Sequence, residues 1–266
     1  MTRLPPEWVH TTPGVAPALS DDRDVHAWLL AVDDPRLRHP HLIDALSDDE
    51  RERARRYARI EDRRRFETAR ALLRHLLAKY TAQAPGAIRF TQGRHGKPSL
   101  AEEHGVQRPS FNASRSGPYA LVAITRTADI GVDIEARGTE AEYEGVATDY
   151  FAAQERLQLG RLALHRRFDG FLAGWTRKEA VLKALGSGLQ TPPDGVVVSL
   201  DPDAPPALHA IDGCSDPSSA WTLWSAPLQP GAWTAVAVHR SHARIQQFLL
   251  ADAAPELWVS NPRSTE

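Results

Sequence analysis

The stretch Ala128–Gly138, ADIGVDIEARG, decides the fold. Within it Ile130, Val132 and Ile134 alternate with Gly131, Asp133 and Glu135. That is the period of a β-strand with one oily face and a second face that carries two carboxylates. Upstream lie an apolar run from Val25, VHAWLLAV, then two helices, then strands at about 88–90, 109–115 and 118–126. The first helix opens on a capping box, Ser47 with Glu50 three residues later. The second follows Asp62, with Phe66, Ala69, Leu73, Leu76, Leu77 and Tyr80 at helical spacing. Downstream, after a strand at about 128–135, come helices at about 149–159 and 168–186 and strands near 195–199, 220–226 and 232–240. Strand, helix, helix and three strands therefore occur twice, with equivalent elements about 100 to 115 residues apart and little identity between them. The order predicts an α+β fold of two similar halves, each a three- to four-stranded mainly antiparallel sheet packed with helices. A cleft between such halves is a common place for a ligand. The expected division is an N-terminal arm over 1–24, subdomains over 25–127 and 128–242, and a C-terminal tail over 243–266.

The 266 residues allow one large domain or two small ones at roughly 150 residues each. With 42% hydrophobic and 25% charged residues the chain is globular, not fibrous or disordered. Its 32 basic residues against 34 acidic ones leave a formal charge of -2, so no overall positive field would hold it on nucleic acid or an anionic membrane. The single cysteine, Cys214, cannot form an internal disulfide, and no Cys/His cluster has zinc spacing. The stretch Met1–Ser20 has prolines and no continuous apolar run, and no segment approaches the roughly 18 apolar residues of a membrane span. A soluble, cytoplasmic protein is expected. Only four of the basic residues are lysine, namely Lys79, Lys97, Lys178 and Lys183, so each lysine invites a reason.

The helix FDGFLAGWTRKEAVLKALG supplies one. Its apolar stripe comprises Phe168, Phe171, Leu172, Trp175 and Leu182, and at about 100° per residue Glu179 projects into the middle of it. An unpaired carboxylate there is costly to desolvate, so it should be protonated, paired or bound to a metal. Arg177 is expected on the opposite side, facing solvent. Lys183, four residues beyond Glu179, offers a plain intrahelical salt bridge as the competing explanation. Together with Asp133 and Glu135, Glu179 makes a set of three carboxylates suited to a hard, oxygen-seeking ion such as Mg²⁺, which commonly completes its shell with water and phosphate oxygens. A phosphate-bearing substrate follows, and Lys178, Lys183 and Lys97 could meet single phosphate oxygens. Lys97 sits in the turn GRHGKP, while Ser114 and Arg115 in FNASRSG could add a hydroxyl and a guanidinium at a strand end.

In this order and spacing, GKP, FNASRSG, IGVDIE, FAAQE and WTRKEAVLKALGSGL resemble the 4'-phosphopantetheinyl transferases of the surfactin-synthetase-activating type, over about 25–200. The resemblance implies a pseudodimer of two α/β-type halves with the active site between them. It also implies transfer of 4'-phosphopantetheine from coenzyme A to a serine of an acyl or peptidyl carrier protein, with release of adenosine 3',5'-bisphosphate. Motif matching puts Asp133, Glu135 and Glu179 on Mg²⁺ (or Mn²⁺ in its place) and Lys183 near the phosphates. Glu155, in FAAQE, falls on the family glutamate held to deprotonate the carrier serine. Arg53, Lys97, Ser114 and Arg115 fall on positions that hold coenzyme A, with Lys178 beside them in the K-E-A motif. Two positions depart from the pattern: Glu50 stands where the family has an earlier cation on the Arg53 helix, and Arg115 replaces the usual histidine of FN-x-SHS. Arginine keeps its charge at any physiological pH and offers a forked donor, so phosphate binding should become less pH-dependent.

The same residues admit two other readings. One is a different Mg-dependent phosphodiester enzyme, which would release phosphopantetheine or cut nucleic acid without a carrier; the near-neutral charge argues against a nuclease. The other is a non-catalytic module that binds coenzyme A or a carrier and is stabilised by ligand with no need of Mg²⁺. The transferase is expected to be a monomer with coenzyme A and a carrier protein as partners, serving fatty-acid, polyketide or nonribosomal peptide synthesis.

Overall fold

A computed structural model of the chain describes residues 9–10, 18–37, 40–93, 96–102, 108–138, 143–188, 191–228 and 231–250. The first half contains β1 (Val9–His10), β2 (Asp24–Ala31), α1 (Pro40–Ile43), α2 (Asp48–Arg55), α3 (Ile60–Thr81), β3 (Phe90–Gln92), β4 (Pro98–Leu100), β5 (Ser110–Ser116) and β6 (Tyr119–Thr125). The second contains β7 (Ile130–Ala136), α4 (Tyr143–Tyr150), α5 (Ala153–Arg161), α6 (Arg167–Leu185), β8 (Val196–Val198), β9 (Leu208–Ile211), α7 (Pro217–Ala220), β10 (Thr222–Leu228) and β11 (Ala232–Val238), and β12 (Arg244–Leu250) follows. The doubled plan is visible in the ladders. β2 pairs antiparallel with β6 and β6 with β5; β7 pairs antiparallel with β11 and β11 with β10. Each half also inserts a two-stranded hairpin after its long helix, β3–β4 and β8–β9.

The layers run helix, sheet, sheet, helix. Leu72, Leu76 and Leu77 of α3 pack on Trp28, Phe111 and Val122 of the first sheet. Each fully buried leucine contributes about 2 kcal/mol of transfer free energy. On the other face Ala27, Leu29 and Leu121 meet Ile130, Val132 and Ile134 of β7, so the oily side of ADIGVDIEARG is the side that joins the sheets. The opposite side of the second sheet, with Trp233 and Ala235, receives α6 through Leu172, Ala180 and Val181. Because β2 and β6 lie between layers, both of their faces are apolar, which is why VHAWLLAV shows a run where a half-exposed strand would alternate.

The segment expected as a tail from 243 behaves differently. Arg244–Leu250 forms β12, which lies parallel to β2 and between it and β1 in the first sheet. Arg244 clamps the start of β2 through Asp24 at 2.7 Å and Asp21 at 2.6 Å, and Phe248 stacks on Trp28 with centroids 4.7 Å apart. Residues 251–266 and most of the expected arm lie outside the described residues. No helix among the described residues is long and apolar enough to cross a membrane.

The capping box forms, and Glu50 does more than cap. Its Oε2 accepts the Ser47 N–H at 3.0 Å and the Arg74 Nε–H at 2.6 Å, while Oε1 accepts from Arg70. Burial alone would raise the Glu50 carboxyl, but Arg74 and Arg70 hold it below the usual range. Its contribution to stability is therefore complete above the unfolded value near about 4.3 and is lost as pH falls through the lower folded value. The urea midpoint is expected to fall over that acid window, and Glu50→Gln should flatten this part of the slope.

Candidate active site in the cleft

The approach of α6 to β7 builds the site. A Cβ on Gly131 would lie 2.0 Å from the Ala180 carbonyl oxygen and 2.3 Å from the Ala184 nitrogen, so only a residue without a side chain lets the helix backbone rest on the strand. This contact brings Lys183 over Asp133. α6 then ends at Gly186, whose φ of 65° is the left-handed cap glycine adopts freely. The other edge of β7 meets β5 through side chains. Asn112 Oδ1 accepts the Val132 N–H at 2.9 Å, Ser114 Oγ donates to Asp133 Oδ1 at 2.8 Å, and Ser116 Oγ donates to Glu135 Oε2 at 2.8 Å while accepting the Ala136 N–H at 3.0 Å.

Asp133 is the hub. It is 2% exposed, and its Oδ1 also accepts from Lys183 Nζ at 2.5 Å, whereas its buried Oδ2 has no hydrogen-bond partner among the described residues. Lys183 Nζ further donates to Ser114 Oγ at 3.2 Å and stands 3.9 Å from Glu179 Oε2. The plain helical salt bridge is thus the longer of the lysine's two ion pairs. Burial, then repulsion from Asp133, pushes the Glu135 carboxyl up against the pull of Ser116. Burial also pushes Glu179 up, with Lys183 pulling it back and Asp133 adding to the rise.

The expected convergence of three carboxylates is not formed as such. Among the described residues no three His, Cys, Asp or Glu side chains are gathered closely enough to hold a metal ion, and the ammonium of Lys183 balances the charge between Asp133 and Glu179. The chemistry of the donors still suits a hard cation: all are carboxylate oxygens, one is buried without a partner among the described residues, and two carboxyls are raised by burial amid like charge. Glu179 also lies differently from expectation. Phe168, Phe171 and Leu172 are buried, but Trp175, Glu179 and Leu182 form the half-buried edge of α6, and Glu179 and Leu182 open on the cleft.

Three expectations on this helix and its neighbour are corrected. Arg177 does not face solvent: it is 1% exposed and donates to the Ser199 carbonyl at 2.8 Å and the Asp201 carbonyl at 3.2 Å, with burial lowering its pKa to about 10. Glu155 and Lys178 are both wholly buried and paired at 2.9 Å. Glu155 accepts the Ala152 and Val198 N–H groups, and Lys178 donates to the carbonyls of Pro193 and Val196. So enclosed, neither the Glu155 carboxylate nor the Lys178 ammonium is exposed on the cleft surface. Arg177 was mislocated because α6 is covered on more than one side, which a wheel with one buried face misses, whereas Glu155 on α5 and Lys178 were assigned by motif and residue type, neither of which encodes burial.

The remaining residues expected to bind coenzyme A fall in two places. Lys97, Lys183, Asn112 and Tyr150 line a cavity of about 490 Å³ between the halves, with Glu179 in its wall. Lys97 Nζ is already engaged by the carbonyls of Ile130 at 2.8 Å and Ala184 at 3.2 Å, so it fastens β7 to the end of α6. Burial lowers its pKa against the pull of Asp129. Arg53 and Arg115 line a recess of about 230 Å³ that also takes in Ser114, Tyr57 and Phe66. Their guanidinium carbons lie 5.2 Å from the Phe66 centroid and 6.0 Å from the Tyr57 centroid respectively. Sequence reasoning missed Asn112 and Ser116, although the polar alternation Asn112, Ser114, Ser116 was there to be read, and it missed Tyr57 and Tyr150, which carry no comparable signal.

The family profile described as 4'-phosphopantetheinyl transferase superfamily matches residues 129–238, and the profile described as 4'-phosphopantetheinyl transferase, N-terminal, matches residues 36–127. Protein slr0495 of Synechocystis sp. is 33% identical over 241 residues, 88% of this chain and 95% of its own. The 4'-phosphopantetheinyl transferase HetI of Nostoc sp. is 32% identical over 231 residues, 87% of this chain and 93% of its own. The 4'-phosphopantetheinyl transferase Sfp of Bacillus subtilis is 28% identical over 170 residues, 64% of this chain and 73% of its own. With both halves matched and these relatives spanned over most of their length, the chain belongs to the 4'-phosphopantetheinyl transferase superfamily, a family of transferase enzymes.

Proposed function

We propose that the protein transfers the 4'-phosphopantetheine group of coenzyme A to a serine hydroxyl of an acyl or peptidyl carrier protein, releasing adenosine 3',5'-bisphosphate, as a monomer in the cytoplasm and in the manner of the surfactin-synthetase-activating type. The observation that carries this reading is the buried Asp133, gripped by Ser114 and Lys183 and backed by Glu135 and Glu179 on the cleft between two similar halves. A single chain supplies both walls, so no second copy is required. Asp133, Glu135 and Glu179 would hold Mg²⁺, which supplies charge neutralisation on a pyrophosphate. Lys183 stabilises the negative charge that grows on the leaving phosphate. Arg53 and Arg115, held by aromatic rings, remain available for the 3'-phosphate of the nucleotide end. Glu179, which opens on the cleft, would accept the serine proton in place of the buried Glu155. The work left to the protein is alignment of the serine oxygen with the β-phosphorus.

Incubation with an apo carrier protein, Mg²⁺ and coenzyme A is expected to add one phosphopantetheine mass to the carrier; no mass change across fatty-acid, polyketide and peptide carriers would defeat the proposal. Arg115→His gives a finer test. With arginine, the KM for coenzyme A should be flat between about pH 6 and 9, whereas histidine, titrating near about 6.5, should make KM climb as pH rises.

A further inference from the structure

We infer that the Lys178–Glu155 ion pair is a positioning element that holds Glu179 and the surrounding cleft wall in register for transfer, without exchanging a proton with substrate. This rests on the transferase reading above. The two side chains meet at 2.9 Å and neither is exposed. Glu155 Oε2 also accepts the Ala152 N–H at 2.8 Å, and Oε1 accepts the Val198 N–H at 2.9 Å. The Lys178 ammonium donates to the Pro193 carbonyl at 2.7 Å and to that of Val196. One pair therefore ties the α4–α5 junction, α5, α6 and the 193–198 segment to a common point behind the cleft. Each of three tied segments places a residue in the cavity wall: Tyr150 just ahead of the junction, Glu179 next to Lys178, and Pro193 itself.

A buried ion pair is weak as a source of stability, since well-packed apolar side chains of similar volume commonly do as well. What it supplies here is direction. Lys178 anchors α6 on the side away from the cleft, so the helix cannot roll or slide without breaking bonds to fixed carbonyls. Glu179, one residue along, is fixed with it. A displacement of about 1 Å at a reacting centre can cost about 10²-fold in rate.

The test compares Glu155→Gln, Lys178→Met and the double variant in the full-length protein, assayed well below each thermal midpoint with coenzyme A, Mg²⁺ and an apo carrier. The positioning role predicts that each single variant, still folded by circular dichroism, loses at least about tenfold in kcat, because an uncompensated buried group pulls the segments apart. The double variant loses the same bonds to the Pro193 and Val196 carbonyls and should stay at least about tenfold below wild type in kcat, with an unchanged pH profile. Were Glu155 a base, the acid limb of the profile would vanish in Glu155→Gln and in the double variant, which overturns the inference. Full kcat in the folded single variants overturns it too, leaving the pair a matter of stability alone. Wild-type transfer, measured first, tests the transferase reading separately.

Discussion

Glu179→Ala is expected to lower kcat/KM for phosphopantetheine transfer by about 10³-fold, the scale of losing one preorganised electrostatic group at a reacting centre. The side chain is 26% exposed at the cleft, and its one ion pair among the described residues, to Lys183, is long at 3.9 Å, so the thermal midpoint without ligand should stay close to wild type. Removing it deletes one of the three acids proposed for the divalent ion and the carboxylate proposed to take the serine proton. Lys183 would then be drawn wholly to Asp133, where it already rests at 2.5 Å. The same variant should lose the extra thermal stabilisation that Mg²⁺ adds to coenzyme A in the wild type. Steady-state transfer to an apo carrier and paired melting curves check both statements, and a variant keeping more than a tenth of its activity would remove Glu179 from the site.

Gly131→Ala is expected to act through the fold, with a cost of at least about 3 kcal/mol. The added methyl would meet the Ala180 carbonyl oxygen at 2.0 Å and the Ala184 nitrogen at 2.3 Å, and these are backbone atoms of a buried helix that cannot turn aside. α6 must lift from β7. Since Lys183 reaches Asp133 only because the helix lies on the strand, transfer should fall in any molecules that still fold. Urea denaturation gives the stability and single-turnover transfer gives the site; a variant with wild-type midpoint and rate would show that the close approach is dispensable.

These two positions also mark what could be read from residues alone. The alternation around Asp133 predicts which side faces the partner sheet, and Ile130, Val132 and Ile134 lie there. The Ser47–Glu50 box was a local signal and is present, and the doubled plan is present with one strand more in each half, β4 and β9, than the expected order has. Arg177, Glu155 and Lys178 were misplaced because their partners come from Ser199, Val198 and Pro193, residues whose proximity no helical period encodes. Lys97 was assigned to coenzyme A through the GKP motif, which does not encode that two carbonyls from separate elements engage its ammonium. β12 escaped notice because RIQQFLL is only half apolar and its ladder partner, β2, stands more than two hundred residues earlier in the sequence.

That last strand has a bearing on how such enzymes can be recombined. A graft that exchanges the N-terminal half between relatives at the β6–β7 junction would leave the donor's β2 zipped to the recipient's Arg244–Leu250, with Asp24 and Trp28 facing an Arg244 and a Phe248 they did not evolve beside. A workable exchange has to carry the last strand along with the first half, as one module written in two separate places.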